Sequence, residues 1–388
     1  MAERLSERNT AVLVGLDFGA GGYAEGIEEL GLLAASAGIR TRALVRGRRD
    51  RPDPAYFAGS GKVEEIKRTL QEQGASLAIF NHVLSPVQER NLEKALGCPV
   101  VDRTRLILDI FAQRAKSHEG KLQVELAQLQ HAATRLVRGW THLERQRGGR
   151  GFLGGMGETQ LEVDRRLIAN RVKILKDKLG KLGRRREVQR RARERGRAFS
   201  VSLVGYTNAG KSTLFNTLTR AGALAEDRLF ATLDTTTRRL YLPEAGNVAI
   251  SDTVGFIRDL PHTLVAAFRA TLEEAIHADL LLHVVDAASD AREAQILEVD
   301  KVLAEIGASA VPRLLVWNKI DRNGLRPGVD RNEYDRICRV RLSAKTGDGV
   351  DGLRRALVEA AASRTSPASP PKSTKSTGTQ KLGQAAIT

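Results

Sequence analysis

Residues 199–221 read FSVSLVGYTNAGKSTLFNTLTRA, and this stretch decides the interpretation of the carboxyl half of the chain. An apolar run ends at Gly205, the eight residues that begin with this glycine, GYTNAGKS, fit the pattern G-x-x-x-x-G-K-[ST], and a helix-type run follows. A strand, a glycine loop and a helix in this order allow backbone N–H groups to wrap phosphate oxygens. The stretch therefore predicts a phosphate-binding loop, the alternative being a glycine-rich turn.

Each residue type in the loop has a chemical role. Lys211 is expected to reach the β- and γ-phosphates of a nucleotide, and the Ser212 hydroxyl to hold Mg²⁺. The glycines leave room for the backbone to approach the phosphates. The predicted phosphate-contacting set is Gly205, Tyr206, Thr207, Asn208, Ala209, Gly210, Lys211, Ser212 and Thr213.

A second motif, ISDTVGF, follows about forty residues later, where an apolar strand ends at Asp252. A carboxylate there can bind Mg²⁺ through water, and the N–H of Gly255 can contact the γ-phosphate. A lone D-x-x-G is common in turns, so this motif gains weight from its position after the phosphate loop. The predicted contacts are Asp252, Thr253, Val254 and Gly255.

Two further motifs indicate which base is bound. Asp321 in WNKID can accept hydrogen bonds from the N1 and N2 hydrogens of guanine, which adenine does not offer. Asn318 is expected to support the loop, and the Lys319 stem to lie on the base. In SAK, at 343–345, a backbone N–H can meet the guanine O6. Four motifs in order, each after its own strand, favour GTP over ATP; the base-contacting set is Asn318, Lys319, Ile320, Asp321, Ser343, Ala344 and Lys345.

The formal net charge of +16 is concentrated in one segment. Residues 120–197 hold 21 basic and 8 acidic side chains, whereas residues 1–119 hold 17 and 16. A basic block favours a polyanion such as RNA, because phosphate neutralisation releases counterions. The alternative is a solvated basic helix face.

The same segment carries two sevenfold apolar rows, which predict two long packed helices. Six glycines in residues 148–157 break the helical pattern between the rows. We expect an antiparallel, coiled-coil-like hairpin over 120–197 with a flexible basic tip at 147–157; the alternative is an intermolecular coil that makes the protein a dimeric scaffold. The rows are Leu122, Leu129, Leu136 and Leu143, and Leu161, Ile168, Leu175 and Leu182, the second flanked by Ile174 and Leu179.

Alternating strand and helix patterns predict the class of the rest of the chain. Residues 1–119 are expected to form a small α/β domain with a parallel sheet, in which GSGK at 59–62 starts a helix. Residues 198–364 are expected to form a P-loop α/β domain with a mainly parallel sheet. The composition of residues 365–388 predicts a disordered tail. Two distant cysteines, no apolar span and no signal peptide favour the cytoplasm.

Three runs give a narrower resemblance. FATLDTTTRRL (230–240), AFRATLEEA (267–275) and GETQLEVDRR (157–166) resemble the HflX family of ribosome-associated GTPases. The resemblance implies an enzyme that binds GTP and GDP with Mg²⁺, docks on the large ribosomal subunit and its 23S-type rRNA, and splits stalled or vacant ribosomes under stress. The two sevenfold rows around one loop favour a monomer. It implies that Thr232 closes on Mg²⁺, although by chemistry alone Thr235, Thr236 and Thr237 could serve. The run adds Phe230, Ala231, Thr232, Leu233 and Asp234 to the nucleotide-binding set, and makes Lys211, Thr232 and Gly255 the catalytic residues and Ser212, Thr232 and Asp252 the metal-binding residues.

Two loop residues bear on the hydrolysis rate. Phe256 stands where many GTPases carry a glutamine that orients the attacking water, so the unaided rate is expected to be slow. A partner such as the ribosome, which we expect to stimulate the reaction, another residue or a cation could supply the missing contribution. Asn208 is either the ligand of a potassium ion beside the phosphates or an ordinary loop asparagine.

The hairpin tip suits contact with RNA. Arg145, Arg147 and Arg150 can pair with phosphates, and Phe152 can stack on a base. The alternative for the tip is a plain connector. An alternative for the whole chain is an RNA-modification or ribosome-assembly factor with a GTPase control domain, although residues 1–197 show no metal-ligand cluster.

Overall fold

The computed structural model describes residues 10–19, 21–139, 160–195, 199–220, 229–261, 264 and 269–365. The hairpin tip at 147–157, with Arg145, and the tail from 366 lie outside these ranges. The described parts form an amino-terminal α/β layer, two long helices and a second α/β layer. The predicted α/β class is confirmed.

The amino-terminal sheet has four parallel strands in the order β2-β1-β3-β4. Its helices lie on both faces, because the strands are apolar on both sides. Gly59, at a φ of 81°, precedes a helix that starts at Ser60, so the predicted helix start at GSGK is confirmed. The elements are β1 (Thr10–Asp17), α1 (Tyr23–Ser36), β2 (Arg40–Arg48), α2 (Ser60–Glu72), β3 (Leu77–Phe80), α3 (Pro86–Leu96), β4 (Val100–Asp102) and α4 (Arg103–Arg114).

Two long helices follow, α5 (His118–Gly139) and α6 (Gln160–Arg195). Ion pairs join Glu119 to Arg186 and Glu125 to Arg171, so position along α5 rises as position along α6 falls. The helices are therefore antiparallel. Their seam buries Leu122, Leu126 and Leu175, with Leu129, Val172, Leu179 and Leu182 packed against them.

One residue of the predicted seam faces solvent. Ile174 is 47% exposed, and Leu167 and Val188, which lie seven residues before it and fourteen after it, are exposed as well. A helix has 3.6 residues per turn, so the residue next to buried Leu175 lies on another face. The predicted flanking role of Ile174 is wrong for this reason.

The carboxyl-terminal sheet has seven strands in the order β10-β11-β9-β8-β5-β7-β6. Its central pairs are parallel, and the two edge pairs, β6 with β7 and β10 with β11, are antiparallel. The elements are β5 (Phe199–Val204), α7 (Lys211–Thr219), β6 (Thr236–Leu242), β7 (Gly246–Asp252), α8 (Arg269–Ile276), β8 (Leu280–Asp286), α9 (Arg292–Ile306), β9 (Arg313–Asn318), β10 (Gly328–Arg331), β11 (Ile337–Arg341) and α10 (Val350–Thr365).

The two α/β layers share one hydrophobic core. Leu30 and Leu33 of α1 and Phe111 of α4 belong to the same buried cluster as Phe230 and Phe256. Phe111 and Phe230 meet edge to face, with ring centroids 4.7 Å apart. The loops that follow β5 and β7 are thus built against the amino-terminal layer.

Two expectations about the chain as a whole concern membranes and thiols. In the described part of the chain, no helix combines the length and the apolar composition needed to cross a membrane. Neither Cys98 nor Cys338 forms a disulfide bond within the part of the chain that the structure describes.

Candidate functional site

The glycine loop joins β5 to α7 at the carboxyl edge of the sheet. Gly205 has a φ of 147° and Gly210 a φ of 92°, values that L-residues with side chains rarely adopt. A side chain on Gly205 would clash with the carbonyl oxygen of Val284, and one on Gly210 with the Asn318 amide. Neighbouring atoms therefore leave no room for a side chain at either position.

A polar cavity lies in front of this loop, at the start of α7. Most of its walls come from the predicted phosphate loop and from the two segments that follow β5 and β7. It is lined by Thr207, Asn208, Gly210, Lys211, Ser212, Thr213, Phe230, Ala231, Thr232, Thr253 and Gly255.

Lys211 is buried at the base of the cavity. Its Nζ donates to the carbonyl oxygens of Gly205 and Tyr206, at 3.1 and 2.9 Å. Burial lowers the pKa of Lys211 to about 8, an effect that Asp252 opposes and Lys319 reinforces. The two carbonyl oxygens carry only a partial negative charge. A phosphate in the cavity would give the Lys211 ammonium a fully anionic partner.

Three oxygen atoms converge beside Lys211. The Ser212 Oγ lies 2.7 Å from the Asp252 Oδ2, the Thr232 Oγ1 lies 3.0 Å from the same carboxylate oxygen, and the two hydroxyls are 2.7 Å apart. Burial raises the pKa of Asp252, which the Ser212 hydroxyl and Lys211 partly offset. The other candidate with a described contact, Thr237, pairs with Ser251 instead, at 2.8 Å. The geometry thus brings Thr232, rather than Thr237, to the predicted metal site.

These three residues fit Mg²⁺. Hydroxyl and carboxylate oxygens are the donors that this hard cation prefers. Within the described residues, the Asp252 Oδ1 is buried and has no hydrogen-bond partner. A buried carboxylate oxygen without a partner is costly, so a cation or its water shell would satisfy it.

The base-recognition motifs meet the glycine loop through Asn318. Its Nδ2 donates to the carbonyl oxygen of Ala209 at 2.9 Å, and its Oδ1 accepts from the N–H of Ala344 at 2.8 Å. The Ser343 hydroxyl donates to the Asp321 Oδ1 at 2.6 Å. Asn318 therefore connects its own loop to the glycine loop and to the loop at 343–345, which is the supporting role expected of it.

Two details of this region differ from the expectation. The Lys319 ammonium pairs with Asp286 at 2.9 Å, which fixes the outer end of the stem that was expected to lie on the base. The Ala344 N–H, a candidate donor to the guanine O6, is engaged by Asn318.

The segment 229–236 lies between the cavity and the hairpin. Leu233 is buried in the shared core, and the Asp234 carboxylate accepts hydrogen bonds from the N–H groups of Lys116 and Ser117 at 3.0 and 2.7 Å, and from the Ser117 hydroxyl. Ser117 immediately precedes α5. Ser117 caps α5, because its hydroxyl oxygen accepts the Gly120 N–H at 2.8 Å, and Asp234 holds this capping residue from another part of the chain. The side chains of Asp234 and Leu233 are not among those that line the cavity.

The segment after β7 is held in a similar way. The side chains of Val254 and Phe256 are buried in the shared core. The Thr207 N–H donates to the Phe256 carbonyl oxygen at 2.6 Å, and the Phe256 N–H donates to that of Gly205 at 3.1 Å. Phe256 does not line the cavity, so the position of the usual glutamine is turned away from the site.

Sequence reasoning missed the residues of the amino-terminal layer that touch these segments. Glu29, Arg103 and Ser117 contact the loops around residues 206, 258 and 234. Helix α4, which begins at Arg103, was not predicted. The local signal for it is Asp102, whose carboxylate accepts the Arg105 N–H at 2.8 Å as a helix cap.

Comparisons with known proteins cover most of the chain. Family models described as GTP-binding GTPase N-terminal, GTP-binding GTPase Middle Region and 50S ribosome-binding GTPase match residues 24–112, 114–193 and 200–319. The GTPase HflX of Escherichia coli is 53% identical over 360 residues, which cover 92% of this chain and 84% of that protein. The chain belongs to the HflX family of GTPases.

Other HflX proteins are similarly close. The GTPase HflX of Magnetococcus marinus is 53% identical over 327 residues, 84% of this chain and 76% of that protein. That of Caldanaerobacter subterraneus is 47% identical over 358 residues, 92% of this chain and 82% of that protein. The family resemblance read from the sequence is confirmed, and with it the expectation that this HflX-family chain binds and hydrolyses GTP.

Replacement of Asp321 by Asn tests guanine recognition. We expect Asp321→Asn to weaken GDP binding roughly 100-fold or more, because two hydrogen bonds to a charged acceptor are lost. Binding of xanthosine diphosphate should strengthen, since its C2 carbonyl accepts from the new amide. Fluorescent-nucleotide titration measures both, with exposed Asp290→Asn as the control. Equal loss of both nucleotides would contradict the assignment.

The pH dependence of GDP binding tests the place of Lys211. Its pKa is about 8 in the free protein, and a bound phosphate would raise it. Binding then takes up a proton above about pH 8, so the association constant is level below that pH and falls above it by up to about tenfold per unit. Calorimetry at about pH 8 in buffers of different ionisation enthalpy measures the uptake; its absence would count against contact between Lys211 and the phosphates.

Proposed function

We propose that this HflX-family GTPase binds the large ribosomal subunit and its 23S-type rRNA as a monomer, and splits stalled or vacant ribosomes when GTP is bound. The basic hairpin supports this proposal, because α6 lies in the segment with 21 basic and 8 acidic residues. The match of residues 200–319 to a model described as 50S ribosome-binding GTPase also supports it.

The contact of Asp234 with Ser117, the residue that caps α5, is the observation that carries the proposal. Thr232 stands beside Ser212 and Asp252, and two residues later Asp234 holds Ser117, which caps the helix that begins the hairpin. A γ-phosphate that orders this loop therefore acts on a residue that contacts the RNA-binding element. Order–disorder change of such a loop is a common way for a γ-phosphate to control docking.

Hydrolysis needs few groups from the chain. We infer that Lys211 neutralises charge on the β- and γ-phosphates, and that the Gly255 N–H faces the γ-phosphate. Ser212, Thr232 and Asp252 would hold Mg²⁺, which supplies electrostatic stabilisation of the phosphates when it is bound. Because Phe256 is buried, the unaided rate is slow, and ribosome contact supplies the missing contribution.

A potassium ion beside the phosphates is the second part of this proposal. Asn208 lines the cavity at a φ of 60°, where an amide oxygen can hold a monovalent cation. We expect faster turnover in potassium chloride than in sodium chloride, and loss of the difference in Asn208→Ala. Equal rates in the two salts would assign Asn208 to loop packing alone.

Sedimentation with ribosomes tests the proposed partner. The protein is mixed with purified ribosomal subunits in the presence of a non-hydrolysable GTP analogue, GDP or no nucleotide. We expect co-migration with the large subunit in the triphosphate state, because that state orders the loop from Thr232 to Asp234. Binding that ignores the nucleotide, or that favours the small subunit, would contradict the proposal.

Charge reversal in the hairpin tip locates the contact. Replacement of Arg145, Arg147 and Arg150 by Glu should weaken co-migration and flatten its dependence on salt, since fewer counterions are released. The matched control reverses the same number of charges in the tail, at Lys372, Lys375 and Lys381. An equal loss in the control would mean that only net charge matters.

A further inference from the structure

A buried polar network joins the amino-terminal layer to the glycine loop and to the segment after β7. The Tyr206 hydroxyl donates to one oxygen of the Glu29 carboxylate, and Arg103 pairs with the other at 2.5 Å. The same Tyr206 hydroxyl accepts the N–H of Arg258 at 2.8 Å. The Arg103 guanidinium also donates to the Arg258 carbonyl oxygen, at 3.1 Å. The backbone of Arg258 is thus held at both its N–H and its carbonyl oxygen.

The positions of the amino-terminal members follow from the topology of their sheet. Arg103 follows β4, Asn81 follows β3, and Gly22 lies in the connection after β1, so all three stand at the carboxyl edge of parallel strands. Asn81 accepts from Arg103 at 2.9 Å, and the Gly22 carbonyl oxygen accepts from the Arg258 guanidinium at 2.6 Å. This edge of the sheet therefore faces the nucleotide-binding layer.

Burial makes the network sensitive to the loss of any one member. The side chains of Glu29 and Arg103 are 10% and 6% exposed. Removal of one partner from a buried charge pair leaves the other without compensation, which costs more than the pair contributes. Burial beside Glu29 also raises the pKa of Tyr206, so its hydroxyl keeps the proton that it donates.

The network acts on Gly255. The hydrogen bond from the Arg258 N–H to the Tyr206 hydroxyl lies next to the parallel bridge between Tyr206 and Phe256. Together these contacts hold the Gly255 backbone against the glycine loop. A side chain on Gly255 would lie 2.8 Å from the Thr207 Cα and 2.9 Å from the Lys211 Nζ. The two loops are therefore packed without spare room. Since Phe256 is turned into the core, Gly255 and Thr253 are the described members of this segment that line the cavity.

We propose that Glu29 and Arg103 of the amino-terminal layer are positioning residues for GTP hydrolysis, and that they fix Gly255 through the Tyr206 hydroxyl and the Arg258 backbone. They touch no nucleotide. They hold the N–H that faces the γ-phosphate in a preorganised position, which is how backbone donors lower a barrier. The inference rests on the role of Gly255 proposed above and is independent of ribosome binding.

Single-turnover GTP hydrolysis without ribosomes tests the inference, with protein in excess over GTP. The variants are Tyr206→Phe, Glu29→Gln and the double variant. Removal of a backbone-type donor costs ~10²–10³ in rate, and a donor that is only loosened should cost about tenfold. We expect each single variant to lose about tenfold, and the double variant to lose less than the product of the two single losses, because both variants act on the Tyr206–Glu29 hydrogen bond and Glu29→Gln also weakens the pair with Arg103. Affinities for GTP and GDP should change less than about twofold.

Glu89→Gln is the matched control. Glu89 forms a buried ion pair with Arg135 and another with Arg105, in the same layer but away from the nucleotide loops. It should lower stability and leave the hydrolysis rate unchanged. An equal loss in Glu89→Gln would show general loosening and overturn the inference.

Other outcomes separate the inference from the proposal on which it rests. The positioning role would be overturned if both single variants bound nucleotide normally and hydrolysed GTP as fast as the wild type or faster. Turnover by the wild type would still support the nucleotide site in that case. A loss of hydrolysis rate in the double variant equal to the product of the two single losses would also overturn the inference. Should Glu29→Gln fail to fold, Tyr206→Phe, which lacks a single oxygen, carries the test together with the control.

Discussion

The meeting of three oxygen atoms, from Ser212, Thr232 and Asp252, is the interaction on which the rest of the account depends. They lie within 3.0 Å of one another beside a buried lysine, and one oxygen of the buried carboxylate has no partner among the described residues. A buried oxygen without a partner is costly, and a cation or its waters would remove this cost, so we expect the group to respond to a bound nucleotide. Thr232 belongs to a loop, and Ser212 belongs to helix α7. The contact between their hydroxyls therefore fixes the loop against the helix.

The loop is fixed at a second point, and that point belongs to another part of the molecule. Asp234 binds the N–H groups at the start of α5, and Phe230 packs on Phe111. The segment after Asp252 is likewise held by Glu29 and Arg103 through Tyr206. The amino-terminal layer is therefore built into the nucleotide site rather than attached beside it. In the proposed function, a change at the γ-phosphate acts on surfaces that both layers share, and the hairpin begins at one of them.

Prediction from the sequence worked where the signal is local. The glycine loop, the strand before it and the helix after it lie within 23 residues, and the heptad rows repeat along single helices. It failed where the determinants are distant in the chain. Tyr206 and Glu29 are 177 residues apart, and nothing near either one indicates the other. Ile174 was placed in the seam because it is apolar, yet an angular step of one residue moves it from the buried face to solvent. Asp234 was assigned to the nucleotide as part of a run, whereas its side chain accepts hydrogen bonds from Lys116 and Ser117, which lead into α5.

The central claim is that the nucleotide state reaches the hairpin through the contact of Asp234 with Ser117, the residue that caps α5. Hydrogen exchange of the backbone amides at 116–124 measures this most directly, with those of α2 at 60–72 as an internal reference. A bound GTP analogue should protect the first turn of α5 more than GDP does, and leave α2 unchanged. Equal protection of that turn in the two nucleotide states would contradict the account.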